Sequence, residues 1–141
     1  ITVNPYAPNI GGIITGVDLS KDISDYEINF IKEAFHKYQV LFFQQQLEIS
    51  PENHIKLGKS FGDLHIHPAA PKMKSFPEIF EIHTHKDSKI SNGAENFHSD
   101  VSCDKEPPLG TMLQLHILPE YGGDTMLSAD GVIDGKQWRE R

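Results

Sequence analysis

The sequence predicts an α+β domain with a β-sandwich or barrel core, and two observations carry that prediction. Two helix starts, at Ser24 and Ser50, fall in the first half of the chain. After Phe61-Gly62-Asp63 the pattern changes to short apolar stretches separated by loops that carry Pro and Gly. Helices first and strands afterwards is the order of a segregated α+β fold.

Each element has its own local signal. Ile1 to Leu19 mixes β-branched residues with Pro, Gly and Asn, which predicts two short strands with turns at Pro5–Pro8 and Gly11-Gly12. Ser24-x-x-Glu27 is a capping box, and Ile28, Ile31, Ala34 and Phe35 follow it at helical spacing. This helix should end near Tyr38, because Gln39–Gln44 reads as a buried strand through Val40, Leu41, Phe42 and Phe43. Ser50-Pro51 is an N-cap with Pro at the first helical position, and Gly62 supplies the stop. Ile79–Thr84 and Gly110–Leu118 read as strands, Pro68–Pro77 and Lys86–Asn96 as loops. From Ala129 onward the sequence is polar and Gly-rich, without a hydrophobic period.

With 141 residues and 38% hydrophobic content the chain can build one domain with a sizeable core. Its net charge of −7 and lack of any Lys/Arg cluster argue against nucleic acid or an anionic membrane as partner. Cys103 is the single cysteine, which rules out an internal disulfide and fits a reducing compartment. No apolar run approaches the ~18 residues of a membrane span, and the N-terminus lacks a basic-then-apolar leader. A soluble, cytoplasmic protein is the expectation.

Chemistry concentrates in the histidines, of which there are 8. His65/His67 and His83/His85 are His-x-His pairs that would share a strand face and suit zinc or copper. One-sided exposure on a strand edge explains them more simply, and no Cys-x-x-Cys or His-Glu-x-x-His accompanies them. His98-Ser99-Asp100 carries more. In an extended strand, residues two apart project to one side, so an imidazole and a carboxylate converge on one ion. They are two of the three ligands of the facial triad of non-haem Fe(II) oxygenases. Downstream, Gly122-Gly123-Asp124-Thr125 makes a tight turn that sets a hydroxyl at a strand start. Thr125 there is either a donor to a small carboxylate or an ordinary β-turn exit.

Five blocks occur in order: Gly11-Gly12 through Gly16-Val17-Asp18-Leu19, Gln39–Phe43, Phe61-Gly62-Asp63-Leu64-His65-Ile66-His67-Pro68, Phe97–Ser102 and Gly122–Thr125. Together they resemble the N-terminal half of the taurine dioxygenase family of Fe(II)/2-oxoglutarate oxygenases, over Ile1 to Ser128. The resemblance implies a double-stranded β-helix (jelly-roll) core with flanking helices, incomplete at its C-terminus. Residues 1–128 would be the N-terminal part of one dioxygenase domain, and residues 129–141 a tail without counterpart. It also implies His98 and Asp100 as Fe(II) ligands, Thr125 as a contact to the 2-oxoglutarate carboxylate, and His67 as the residue facing the substrate's anionic group. O2 is then the second cosubstrate. The implied partner is a small anionic organic molecule such as taurine, with sulfite and an aldehyde as products; homo-oligomerisation is left open.

Two departures qualify what the resemblance implies. Taurine-cleaving members carry a tyrosine three residues after the substrate histidine and an asparagine four before the iron histidine; this chain has Ala70 and Ala94. A larger or more apolar sulfonate, sulfate ester or carboxylate is then as good an expectation as taurine. The family's distal histidine and its 2-oxoglutarate-binding arginine lie in a C-terminal half without counterpart here. Arg139 and Arg141 are the only arginines and sit in the unmatched tail, and His116 lies in a segment whose family role is packing. The rival expectation is a non-catalytic chain that keeps part of the fold but lacks the distal iron ligand.

Overall fold

The computed structural model describes residues 1–67, 72–83, 98–118, 120–122 and 124–128. They form two compact units, Ile1–Glu48 with the described part of Leu115–Arg141, and Ile49–Gln114.

In the first unit a three-stranded sheet has the order β1-β2-β3, with β1 at Thr2–Pro5, β2 at Gly12–Thr15 and β3 at Leu41–Phe43. β1 and β2 form an antiparallel hairpin, in register from Thr2↔Thr15 to Pro5↔Gly12. β2 and β3 are parallel, from Gly12↔Leu41 to Ile14↔Phe43. A parallel neighbour needs a crossover, and helix α1, Asp25–Tyr38, supplies it. Both halves of the predicted capping box form: the Ser24 hydroxyl accepts from the Glu27 N–H, and the Ser24 N–H donates to the Glu27 carboxylate at 2.9 Å. The Ser24 hydroxyl, which also donates to Glu27 Oε2 at 2.6 Å, and then the Ser24 N–H hold the Glu27 carboxyl below its usual range.

The core of this unit is Ile14, Leu19, Ile31 and Ala34, where the inner face of β2 meets the apolar stripe of α1. Ile14 and Ile31 are fully buried, and cutting such a side chain back to Ala costs about 2–5 kcal/mol. Gly12 is dictated by packing: a Cβ there would stand 2.9 Å from Val3 Cγ2 and 3.0 Å from Tyr38 Cγ. A single amide fastens the next stretch, as the Leu19 N–H donates to Gln46 Oε1 at 2.9 Å and Gln46 Nε2 donates to the Val17 carbonyl at 3.1 Å. Between them the Asp18 carboxylate accepts from the Ser20 hydroxyl at 2.6 Å and the Ser20 N–H at 3.0 Å, and pairs with Lys21 at 2.9 Å.

The second unit contains α2, Pro51–Phe61, and an antiparallel hairpin of β4, Lys72–Met73, with β5, Phe76–Phe80. Ser50 caps α2 through the Asn53 N–H at 3.2 Å, Pro51 opens it, and Gly62 ends it at φ 150°, as predicted. Leu57 is the buried anchor of the helix.

Three expectations are corrected. The predicted loop Pro68–Pro77 contains β4 and the start of β5; Pro77 suggested a loop, yet an edge position in a two-stranded ribbon tolerates it. The predicted strand Ile79–Thr84 begins earlier, at Phe76, and is over by Phe80, while Thr84 lies outside the described residues. Gly110–Leu118 forms no strand. A strand is a paired state, and among the described residues no ladder includes this segment, whose Leu113, Leu115, Ile117 and Leu118 are exposed. Gln114 instead uses its side chain: turned so that both ends are satisfied, its amide accepts from Ile49 N at 2.8 Å and donates to Ile49 O at 3.2 Å. The described residues are thus a small mixed sheet with helices, an α+β arrangement rather than a full jelly roll. The predicted loop Lys86–Asn96 and the polar stretch from Ala129 lie outside the described residues.

Candidate functional site

His98, Ser99 and Asp100 are not in a strand; Asp100 instead opens a turn. Val101 takes φ 52° and accepts from the Asp104 N–H at 3.1 Å, so the backbone reverses directly after Asp100. The two side chains converge nonetheless, outside any strand. His98 Nε2 lies 3.3 Å from Asp100 Oδ1, and both side chains are about half exposed. Two donor atoms at adjacent corners of one octahedral ion, each ~2.1 Å from it, stand ~3.0 Å apart. The observed separation is close to that span, and one imidazole nitrogen with one carboxylate oxygen is a donor set suited to a first-row divalent ion.

The second oxygen of Asp100 is engaged elsewhere. Thr111 Oγ1 donates to Asp100 Oδ2 at 2.6 Å. An ionised carboxylate only accepts, so the proton in this bond is the threonine's. Neither Thr111 nor Asp104 stands out in the sequence. A polar β-branched residue at the head of an apolar run, just after Pro107-Pro108, is the only signal Thr111 gives.

His65 and His67 lie in an irregular segment after α2 rather than on a strand. Their rings meet edge to face at 6.2 Å. His65 Nε2 is 3.1 Å from Asp104 Oδ2, which ties this segment to the turn that follows Asp100. His67 is exposed. His83 is described and exposed, while His85, Ala70 and Ala94 lie outside the described residues. Cys103 is an exposed free thiol.

The other expected site residues fall elsewhere. His67, His98 and Asp100 belong to the Ile49–Gln114 unit, whereas Thr125 and His116 belong to the unit built around the β1-β2-β3 sheet. Thr125 is exposed in an irregular stretch, following Gly122 at φ 74°. His116 Nδ1 is 3.8 Å from Glu48 Oε1, a loose pairing between two exposed side chains. Among the described residues no group of three or more His, Cys, Asp or Glu converges as a metal cage, and no helix is long and apolar enough to cross a membrane.

Comparison with solved proteins places this architecture. The crystal structure of a taurine dioxygenase from Burkholderia xenovorans superposes with a TM-score of 0.51 at 29% identity, over 56% of this chain and 28% of that one. A family model, taurine catabolism dioxygenase TauD, TfdA family, matches residues 2–132, and the chain belongs to that family. It is 32% identical to an alkylsulfatase of Acinetobacter baylyi, over 82% of this chain and 35% of that protein. It is 27% identical to an alpha-ketoglutarate-dependent sulfate ester dioxygenase of Pseudomonas putida, over 89% of this chain and 40% of that protein. The chain thus spans between about a third and two fifths of the length of these curated relatives.

Proposed function

We propose that this chain contributes to an Fe(II)/2-oxoglutarate-dependent dioxygenase acting on a small organosulfonate or sulfate ester. The observation that carries the reading is the His98–Asp100 pair, with donor atoms 3.3 Å apart, in a chain of the TauD, TfdA family. The relatives named as an alkylsulfatase and a sulfate ester dioxygenase support a substrate with an anionic sulfur head group.

In this reading His98 Nε2 and Asp100 Oδ1 hold the iron, His67 binds the anionic head group, and Thr125 donates to a carboxylate of 2-oxoglutarate. When bound, iron with 2-oxoglutarate and O2 would supply the oxidising chemistry, dividing the two oxygen atoms between succinate (with CO2) and a hydroxyl on the substrate carbon. Hydroxylation at the carbon bearing the sulfur group leaves an unstable adduct that releases sulfite from a sulfonate, or sulfate from a sulfate ester, together with an aldehyde. What the protein supplies is orientation. A histidine aimed at the head group would fix which carbon faces the metal, and alanine at positions 70 and 94, where the taurine-cleaving pattern has tyrosine and asparagine, favours a longer alkyl chain than that of taurine.

The test is 2-oxoglutarate consumption coupled to sulfite or sulfate release by a protein carrying this chain, with His98→Ala and Asp100→Ala as controls. Substrate-coupled turnover lost in both variants is the expected result. Turnover that survives both substitutions removes the pair from the iron site. A fold that binds neither metal nor 2-oxoglutarate leaves the non-catalytic reading standing.

A further inference from the structure

The two oxygens of Asp100 have different partners, and the difference is made by one hydroxyl. Oδ1 faces His98 Nε2 at 3.3 Å, while Oδ2 accepts from Thr111 Oγ1 at 2.6 Å. A carboxylate that is about half exposed is otherwise free to rotate about its terminal bond and offer either oxygen, or both, to a cation. A short hydrogen bond to an ionised acceptor is among the stronger ones a side chain makes. It comes from a residue beyond the Pro107-Pro108 break, so the turn and the segment after it are fastened at the carboxylate.

We infer that Thr111 is a positioning residue for the metal: its hydroxyl reserves Oδ2, so that Asp100 would offer an ion only Oδ1, the oxygen that faces His98. This inference rests on the reading of His98 and Asp100 as metal ligands. Its chemical content is separate, namely that the carboxylate is monodentate because a second group occupies its other oxygen. Groups that orient a metal ligand in this way commonly change affinity by 10–100-fold when removed. Valine is nearly isosteric with threonine and lacks only the donor, whereas serine keeps the donor and loses a methyl group.

The experiment is titration of the full chain with Co(II), followed by the visible spectrum and by paramagnetic shifts of the His98 ring protons. Melting curves are recorded on every variant. Thr111→Val is expected to weaken Co(II) binding by roughly 10–100-fold and to change the visible spectrum, and Thr111→Ser is expected to restore both. If Thr111→Val does not fold, Thr111→Ala replaces it in the comparison with Thr111→Ser. Parental affinity and spectrum in the hydroxyl-free variant overturn the proposal, as does an equal loss in Thr111→Ser. Asp100→Ala separates this failure from that of the underlying reading. Co(II) binding that persists without Asp100 overturns the ligand assignment itself, and the role of Thr111 with it.

Discussion

His65 Nε2 and Asp104 Oδ2 meet at 3.1 Å although 39 residues separate them in the chain. The bond joins the segment carrying His67 to the turn that begins at Asp100, and neither end belongs to a helix or a strand. Two irregular segments without a shared ladder depend on such side-chain contacts for their relative placement.

The side chains are 30% and 46% exposed, so the pair should behave as a surface interaction. A double-mutant cycle of His65→Ala and Asp104→Ala, read by urea denaturation, is expected to give a coupling of about 0.2–1 kcal/mol. Strict additivity would show that the contact contributes nothing to stability.

Metal affinity gives a second measurement. His98 and Asp100 offer one ion two protein donors, and no larger cluster is present among the described residues. Anaerobic calorimetry of the 141-residue chain with Fe(II) should therefore give binding far weaker than a three-ligand site. Tight one-to-one binding would require a third protein ligand beyond this pair.

Substrate choice tests His67. In an active protein carrying this chain, His67→Ala should raise KM by the equivalent of ~1.5–3 kcal/mol if the ring bonds a charged head group. A longer alkyl sulfonate or sulfate ester should match or outperform taurine. An unchanged KM removes His67 from the substrate site, and a strong preference for taurine contradicts the pocket expected from Ala70 and Ala94.

Acid stability should depend on Asp18. Its carboxyl is lowered from 3.8 to about 2, chiefly by the Ser20 hydroxyl and then by Lys21. As pH falls, the unfolded chain takes up this proton before the folded one does. The stabilisation is therefore complete above pH ~4 and is lost as pH drops through about 2. In urea melts across that range, Asp18→Asn should flatten part of the pH dependence; a slope identical to the parent's would exclude Asp18 as a contributor.

What the sequence made legible was local. Ser24 with Glu27, and Ser50 with Pro51, announce α1 and α2 because a cap is written within four residues. The turn glycines mark the β1–β2 hairpin in the same way. The β4–β5 hairpin was obscured because the prolines of its region read as loop. Gly110–Leu118 has the composition of a strand, but composition does not specify a partner. At the candidate site His98 and Asp100 were legible as a pair, though the turn that follows them was not, because Val101 at φ 52° is an unusual conformation for a β-branched residue. Thr111 and Asp104 were invisible for a simpler reason: a hydrogen bond across a loop leaves no periodicity in the chain.

The parallel pairing of β2 with β3 bears on how the polypeptide first folds. Both strands and the helix between them lie in one continuous stretch, Gly12 to Phe43. Contacts this close in sequence close quickly, and this stretch leaves the ribosome before the segment carrying His98 and Asp100 does. Ile14 and Ile31 are then expected to meet while His98 and Asp100 are still untranslated. Protease protection of ribosome-bound nascent chains in which this stretch has emerged would report it, and digestion of such chains would place the collapse after synthesis. A damaged β2 or α1 would on this view harm the candidate site early, by costing the nascent chain a folded nucleus made before it.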